Sequence, residues 1–288
     1  MRRWGFFLLS FWAGIGLLSV AAVDATPKVE NDCGMPPALH DRVDGFLRAS
    51  DTLDYSGTML VEYGSDREFI SVSSTPSAGT TNFRRLSQRA DAPVQLTVPL
   101  PVADRGPCGL AQSYGLVVDA GSGVIAGRAT YRMTARPKDT LRLAYVMDLD
   151  AEMHMPLRVL AASPDGQVLE RYEFAEVSFL RSTPPNQGGS PSGSAAYRLE
   201  TIPPGFIVVG EGRDPVDFLV LSDGLATVSV FIENQPRSLP SGEGVALRGA
   251  TLTYTRGTEN GRLITVLGEI PIPTARLLAD AVRPEGSD

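Results

Sequence analysis

The alternation of apolar and polar positions divides the chain into one short helix followed by many strands. After the Pro36-Pro37 pair, four apolar residues recur at the spacing of a single helical face, namely Leu39, Val43, Phe46 and Leu47. From Tyr55 onward the period changes to two, which is typical of strands with one buried face. The same pattern predicts further strands at 68–73, 94–98, 115–119, 130–135, 141–149, 157–162, 167–174 and 177–180.

Turn residues between these segments predict an antiparallel meander. Ser163-Pro164-Asp165-Gly166 has the residues of a hairpin turn, and the Gly-rich stretch at 121–123 predicts another. A second, smaller series follows, with an Asp223-Gly224 turn and a closing helix after Pro273; its strands are predicted at 206–210, 218–221, 226–233, 250–254 and 263–267. We therefore expect a mainly β, α+β protein: an antiparallel β domain with a helix, then a small α+β domain.

A compositional break separates the two series. Residues 182–195 contain no large apolar side chain and are rich in Pro, Gly and Ser, which is typical of a linker. The predicted organisation is a signal peptide at 1–25, a first domain at 26–181, a linker at 182–196 and a second domain at 197–288. The candidate hinge residues in the linker are Pro184, Pro185, Gly188 and Gly189.

The first 25 residues have the layout of a secretory signal. Arg2 and Arg3 precede an uncharged stretch from Trp4 to Val23, and a cleavage site with small residues ends at Ala25. The alternative is an uncleaved membrane anchor, since the stretch is long enough to span a bilayer. Cleavage would leave the mature chain outside the inner membrane.

Composition excludes several function classes. The 288 residues include 26 basic and 33 acidic side chains, a formal net charge of −7, which argues against a nucleic-acid binder. The chain has only two histidines, His40 and His154, and only two cysteines, Cys33 and Cys108. Because these four residues are scattered singly, a zinc site or histidine-based catalysis is not indicated. We expect no cofactor, no metal ion and no enzymatic activity.

The two cysteines predict a disulfide in an exported chain. Thiols in an oxidising compartment usually pair, and a Cys33–Cys108 bond would tie the mature N-terminus to the first domain. Two unpaired thiols, or a bond between two molecules, are the alternatives.

Two further patterns could carry chemistry, and each has a simpler interpretation. Asp148 and Asp150 lie two apart on a predicted strand, so both point to one face, where they could bind Ca²⁺ or flank a glycosidic bond. A solvated strand end is the simpler interpretation. Arg84, Arg85 and Arg89 could bind an anionic ligand, or could form the charged edge of a sheet.

Several stretches resemble the RseB/MucB family of periplasmic regulators of an envelope-stress sigma factor. These are LDYSGTMLVEY from Leu53, the whole of Gly127–Phe174, Pro203-Pro204-Gly205-Phe206, LSDGLATVSVFIE at Leu221–Glu233 and the ending VLGEIPIPTARLLADAV. The resemblance implies an unclosed antiparallel β-barrel similar to the lipoprotein carriers LolA and LolB, followed by a smaller domain. It also implies a location in the periplasm.

The resemblance further implies a partner and a mechanism. Such a protein binds the periplasmic domain of a transmembrane anti-sigma factor and shields it from regulated proteolysis, and lipopolysaccharide or another acyl-chain ligand releases it. Homo-oligomers are also possible. The alternative functions are a periplasmic carrier or chaperone of lipid or lipoprotein and, in a different class, an envelope hydrolase that uses Asp148 and Asp150.

Within the stretches that carry the resemblance, four residues are predicted to contact the partner: Pro204, Phe206, Asp223 and Phe231. The simpler interpretation is that each serves a turn or the core of the second domain.

Overall fold

The computed structural model describes residues 33–76, 80–86, 106–181, 195–213, 215–235 and 242–286. These residues belong to one compact unit. Within them the chain forms two antiparallel sheets, a two-stranded ribbon and three helices. Among these described helices, none has the length and apolar character needed to cross a membrane.

The first sheet has eight strands. Its elements are β1 (Leu53–Tyr63), β2 (Asp66–Thr75), β3 (Thr80–Arg85), β4 (Tyr114–Ile125), β5 (Arg128–Pro137), β6 (Ala144–Asp150), β7 (Pro156–Ala162) and β8 (Val168–Arg181). The order is β3-β2-β1-β8-β7-β6-β5-β4, and all neighbours pair antiparallel. Within the described residues β3 and β4 do not pair with each other, so the sheet stays unclosed. This confirms the predicted fold class of the first half.

One face of this sheet packs against helix α1 (Pro37–Thr52). Val43, Phe46 and Leu47 of α1 are at most 2% exposed and share one buried cluster with Met133 and Leu149 of the sheet. Pro37 fits the first helical turn because its missing N–H would have no intrahelical partner there. The apolar stripe read from the sequence is therefore the face that covers the sheet.

A second helix, α2 (Gly106–Ser113), is tied to the start of the described chain by a disulfide. Cys108 of α2 bonds to Cys33, 75 positions earlier in the sequence. The predicted pairing is confirmed. Because the bond closes a long loop, it restricts the unfolded chain more than a local cross-link would.

The opposite face of the first sheet carries a row of ion pairs that crosses six strands. Arg132 (β5), Asp148 (β6), Arg158 (β7) and Glu173 (β8) lie directly opposite one another in register. The Arg132–Asp148 distance is 2.9 Å, the Nε of Arg158 donates to Asp148 at 2.6 Å, and Arg158 lies 3.4 Å from Glu173. Arg171, which also pairs with Glu173, extends the row toward β1. We call this row the charge ladder.

The row ends on the first hairpin. Arg171 of β8 lies 3.0 Å from Glu62 of β1, and Glu62 lies 2.7 Å from Arg67 of β2. Charges alternate in sign along the row, so each carboxylate has an arginine on either side. Cross-strand pairs of opposite charge stabilise a sheet in the register that brings them together.

Substituting Asp148 should destabilise the protein, because its carboxylate joins two arginines. In Asp148→Asn, both Arg132 and Arg158 lose their charged acceptor, and we expect the free energy of unfolding to fall by about 1–2 kcal/mol. Urea denaturation measures this change. The matched control is Asp66→Asn, an exposed residue on the same sheet, which should change the value by less than about 0.5 kcal/mol. Equal effects of the two substitutions would contradict the role of the ladder.

The second sheet has six strands and one helix. Its elements are β10 (Ile207–Gly212), β11 (Asp217–Ser222), β12 (Thr227–Asn234), β13 (Glu243–Arg248), β14 (Thr251–Gly257) and β15 (Arg262–Gly268), in the order β10-β11-β12-β15-β14-β13. Helix α3 (Ile272–Ala281) buries Ala275, Leu278 and Ala279 in one cluster with this sheet. The short strands β9 (Tyr197–Leu199) and β16 (Val282–Pro284) form the ribbon. The predicted α+β class is confirmed here too.

Several predicted boundaries were wrong. The strand predicted at 115–119 continues to Ile125, and the Gly-rich stretch at 121–123 lies inside β4 beside a break in register, not in a hairpin turn. The turn comes instead at Ala126-Gly127, where both residues have positive φ. The predicted strands at 167–174 and 177–180 are one strand, β8, with a bulge opposite Thr58. The predicted strand at 94–98, the hinge residues and most of the linker lie outside the described residues.

Candidate functional site

The most polar buried region joins the two sheets, and Arg142 stands at its centre. Arg142 follows β5 in the loop that leads to β6, and its side chain is 1% exposed. Its guanidinium pairs with Asp139 on its own loop and lies 3.0 Å from Asp223, which follows β11. It also donates to the carbonyl oxygen of Pro204 and stacks over the ring of Phe206 at 5.1 Å. One cation thus bridges the two sheets.

Asp223, the partner of Arg142 on the second sheet, is fully buried. Its Oδ2 accepts from the hydroxyl of Tyr114 at 2.8 Å, and its Oδ1 accepts from the backbone N–H groups of Leu225 and Ala226 at 3.0 and 2.9 Å. Burial raises the pKa of Asp223, and these hydrogen bonds and Arg142 only partly oppose that effect. The side chain therefore both shapes the β11–β12 turn and holds the two sheets together.

A second carboxylate lies between the sheets without a cation of its own. Glu269 follows β15, is 1% exposed, and accepts from the Tyr145 hydroxyl at 3.2 Å. Burial, and then the negative charge of Glu170, raises its pKa to about 8. At neutral pH most molecules therefore carry a protonated Glu269. Nearby, Thr274 of α3 donates to the carbonyl oxygen of Leu141 at 2.7 Å.

A third contact comes from the turn between β13 and β14. Arg248 donates to the Tyr63 hydroxyl at 2.6 Å and lies 3.2 Å from Glu68. The N–H of Ala250 donates to Glu170 at 2.9 Å, and burial raises the pKa of that carboxyl. Gly249 has a φ of +59°, and a Cβ there would come within 2.5 Å of Glu170. We call the three contacts, around Arg142, Glu269 and Arg248, the joint.

The structure brings three of the four predicted partner residues to the Arg142 contact. Phe206 and Asp223 are buried there, and Pro204 is exposed but contributes its carbonyl oxygen. Phe231 lies elsewhere, half-buried on the face of the second sheet opposite α3. Its ring centroid is 6.5 Å from that of Phe218 on the neighbouring strand. Of the four, only Pro204 and Phe231 present a side chain that a partner can reach, and the partner role of all four stays a prediction.

The other candidate residues have structural partners. Asp148 belongs to the charge ladder, and Asp150 pairs with Arg128 and accepts from the N–H groups of Glu152 and Met153. Burial disfavours ionisation of Asp150, but these bonds outweigh it and lower the pKa of the group. Arg85, on the edge strand β3, lies 2.8 Å from Glu68. Within the described residues, no group of three or more His, Cys, Asp or Glu side chains is placed to hold a metal ion.

Sequence reasoning missed the joint itself. Arg142 stands between two leucines, and Glu269 stands between Gly268 and Ile270 in an otherwise apolar stretch. An isolated charge in an apolar run is a recognisable sign of a buried and paired ionisable group. The sequence therefore indicates that Arg142 and Glu269 are buried, but residue spacing does not identify the residues that they contact.

Comparisons with known proteins identify the family to which this architecture is similar. A family model described as the MucB/RseB N-terminal domain matches residues 64–191, and one described as the MucB/RseB C-terminal domain matches residues 191–283. The sigma factor AlgU regulatory protein MucB of Pseudomonas aeruginosa is 30% identical over 210 residues, which are 65% of this chain and 66% of that relative. The chain thus spans just under two thirds of the length of MucB.

Two solved structures match most of the chain. The complex structure of Pseudomonas aeruginosa MucA/MucB aligns over 87% of this chain and 100% of the matched chain, with a TM-score of 0.64 and 25% identity. The crystal structure of MucB in complex with MucA(peri) aligns over 86% of this chain and 100% of the matched chain, with a TM-score of 0.62 and 26% identity. Since the two family matches together run from residue 64 to residue 283, the chain belongs to the MucB/RseB family.

Proposed function

We propose that this protein is a negative regulator of an envelope-stress sigma factor, which binds the periplasmic domain of a transmembrane anti-sigma factor and shields it from proteolysis. The observation that carries the proposal is the match to MucB bound to MucA, which covers 86–87% of this chain. The proposal includes export to the periplasm behind a cleaved signal peptide and the absence of enzymatic activity. The second part agrees with the pairing of the two carboxylates that could have served a hydrolase: Asp148 pairs with Arg132, and Asp150 pairs with Arg128.

The face around Phe231 is the partner surface that we propose. Phe218 and Phe231 form an aromatic pair on the side of the second sheet that α3 does not cover, and Leu267 on β15 is 36% exposed. Aromatic side chains that are already ordered in the free protein bind with little loss of conformational entropy. A partner segment lying on this face would therefore gain most of its affinity from these rings.

Release by a lipid follows from thermodynamic linkage. A ligand that prefers the free protein weakens partner binding by its differential affinity for the two states. The joint is the element we propose to switch, because a change in the angle between the sheets must break buried polar contacts at Arg142, Glu269 and Arg248. Such contacts have few intermediate arrangements, which favours two discrete states.

The structure favours this regulator over a lipid carrier. A carrier needs an open apolar surface for an acyl chain, whereas the side chains on the α1 side of β5, β6 and β7 are buried. Met133, Met147, Leu149 and Val159 are all at most 4% exposed. The described part of the sheet is therefore filled by core packing, and the lipid that we propose as the releasing ligand would bind outside this packed face.

A titration of residues 26–288 with the periplasmic segment of the host's anti-sigma factor tests the proposal. We expect saturable 1:1 binding by calorimetry, weakened when lipopolysaccharide is added. Phe231→Ala should raise the dissociation constant about tenfold or more. The matched control, Phe69→Ala, removes a ring that is 49% exposed on the first sheet and should leave binding unchanged. Failure of the folded wild-type protein to bind, with its disulfide intact, would contradict the regulator and favour the carrier.

A further inference from the structure

A cavity of about 570 Å³ opens between the β14–β15 hairpin and the end of α3. None of its lining residues belongs to the joint or to the aromatic pair at Phe231. Cavities of this size are typical of sites for small molecules. The residues that decide its chemistry are Arg256, Arg262, Arg283, Asp280 and Tyr197.

The charge of this cavity is opposite to that of the whole chain. Three arginines line it, although the protein as a whole has a net charge of −7. Arg256 pairs with Asp280 in the cavity wall and Arg283 pairs with Glu200 beside it, so the three arginines outnumber these two carboxylates by one. Among the described residues Arg262 has no carboxylate partner, which makes it the first contact for an anion. Arg262 is held in place, because it donates to Asn234 at 2.5 Å and lies 5.9 Å from the centre of the Tyr197 ring. Arg283 is likewise oriented by Glu200 at 2.7 Å. An anion entering the cavity would meet guanidinium groups that are already positioned.

The floor of the cavity is apolar. Ile232 and Ile264 reach it from neighbouring strands, and Ala279 and Val282 reach it from the end of α3 and the start of β16. Ile232 and Ile264 are at most 4% exposed and belong to the core of the second sheet. The cavity therefore suits a ligand that combines an anionic group for the guanidinium groups with an apolar body for this floor.

We propose that this cavity binds a small carboxylate that carries an apolar body, such as the C-terminal carboxylate of a peptide ending in an apolar residue. The cavity already shows the required contact, since the carboxylate of Asp280 pairs with Arg256. Arginine binds planar carboxylates through two parallel hydrogen bonds, so Arg262 and Arg283 would hold the ligand while Ile232 and Ile264 pack against its body. This binding activity goes beyond the proposed regulation and does not depend on it.

Calorimetric titration with three probes tests the site on the mature chain. The probes are N-acetyl-valyl-leucine with a free carboxylate, its C-terminal amide, and octanoate. We expect the free acid to bind and the amide to bind at least tenfold more weakly, because the amide lacks the charge that arginine recognises. The ratio of the dissociation constants of the dipeptide acid and octanoate identifies whether the site prefers a peptide terminus or an alkyl chain.

Matched substitutions locate the binding. Arg262→Gln keeps a side chain that can hydrogen-bond to Asn234 but removes the charge, and Arg283→Gln provides an independent second variant; each should weaken binding of the free acid about tenfold. The control is Arg276→Gln on α3, because Arg276 is ion-paired with Glu243 at 2.9 Å and does not line the cavity. Equal binding of acid and amide, unchanged binding in both cavity variants, or an equal loss in the control would overturn the proposal.

Discussion

Arg142→Met should lower the free energy of unfolding by about 3–5 kcal/mol, the loss typical of removing one member of a buried ion pair. The guanidinium lies in a site where it is 1% exposed, and Asp223, its partner across the joint, is 0% exposed. Without the cation, a buried carboxylate remains that water cannot reach. The substitution also removes the donor to the Pro204 carbonyl oxygen and the cation above the Phe206 ring.

The pH dependence of this variant distinguishes the lost charge from lost packing. Burial already raises the pKa of Asp223, and Arg142 is one of the groups that oppose the rise. In Arg142→Met the pKa of Asp223 should therefore rise further. A carboxyl with a raised folded-state pKa contributes stability at low pH and loses it as pH rises through that pKa. The deficit of the variant should accordingly be smaller in acid than at neutral pH.

A double-mutant cycle and a matched control complete the experiment. In Arg142→Met with Asp223→Asn, no buried charge is left unpaired, so the double variant should lose less than the sum of the two single losses. Arg276→Met removes an arginine that is 54% exposed and paired with Glu243, and should cost less than about 1 kcal/mol. If Arg142→Met proved as stable as this control in urea denaturation, the joint would not depend on its buried ion pair.

The same substitution bears on partner binding. Arg142 contacts Phe206 and the carbonyl oxygen of the exposed Pro204. The sequence predicts that both residues contact the partner, so the loss of Arg142 alters a predicted partner-binding segment. Binding measured on a folded Arg142→Met protein would then report how far partner affinity depends on the angle between the sheets. This dependence is expected from linkage, since the joint and the partner surface share the second sheet.

Much of the fold could be predicted because each sheet buries one face. Alternation of buried residues with more exposed ones is a local property. It is unbroken from Thr227 to Glu233 in β12, and it runs through most of β1 and β5. The Ser163–Gly166 turn is equally local, because its hydrogen bond joins residues only three positions apart. The N–H of Gly166 donates to the carbonyl oxygen of Ser163 at 2.9 Å. Elements of this kind follow from residue type and spacing alone.

The elements that were missed lack such a pattern. Strand β13 is an edge strand whose first five residues are all exposed, so its side chains show no alternation. Helix α2 has eight residues, begins with Gly106-Pro107 and is held by the disulfide at Cys108, so its own periodicity is short and weak. In β4 the glycines at 121 and 123 mark a break in register because their freedom at positive φ serves a bulge as well as a turn.

The joint was beyond prediction for a different reason. Its bonds link residues far apart in sequence: Tyr114 with Asp223 across 109 positions, and Tyr145 with Glu269 across 124. Asp148 and Asp150 were correctly placed on one face of a strand, yet the arginines that neutralise them come from the two neighbouring strands, β5 and β7. Partners of this kind depend on sheet order, which a single sequence does not contain.

Glu269→Gln should remove a large part of the loss of stability that the protein shows between weakly acidic and alkaline pH; Asp223 and Glu170, whose pKa values burial also raises, contribute to the remainder. Burial and the charge of Glu170 raise the pKa of Glu269 to about 8, from its ordinary value of 4.5. Between these values the folded protein keeps a proton that the unfolded chain releases, so rising pH favours unfolding. The contribution is complete below about pH 4.5 and is lost as pH rises through about 8, with a limit of about 1.4 kcal/mol per pH unit.

The size of the pKa shift determines how far the stabilities of the wild-type protein and Glu269→Gln should differ. Over the whole window the ionisation of Glu269 costs the folded state as much as about 4–5 kcal/mol, reduced by any relaxation that admits water. Gln cannot ionise but can still accept from the Tyr145 hydroxyl. The variant should therefore match the wild-type protein near pH 5 and exceed its free energy of unfolding by several kcal/mol near pH 9.

Urea denaturation from pH 5 to pH 9 measures the difference curve, and the exposed Glu259→Gln serves as its control. We expect the Glu269 curve to rise with pH and the control curve to stay flat, because only the buried carboxyl exchanges a low-dielectric site for water on unfolding. Two parallel flat curves would mean that Glu269 ionises without cost in the folded state. A rising curve would instead show that ionisation of Glu269 destabilises the folded protein, and the proposed binding of the anti-sigma factor should then weaken over the same pH range.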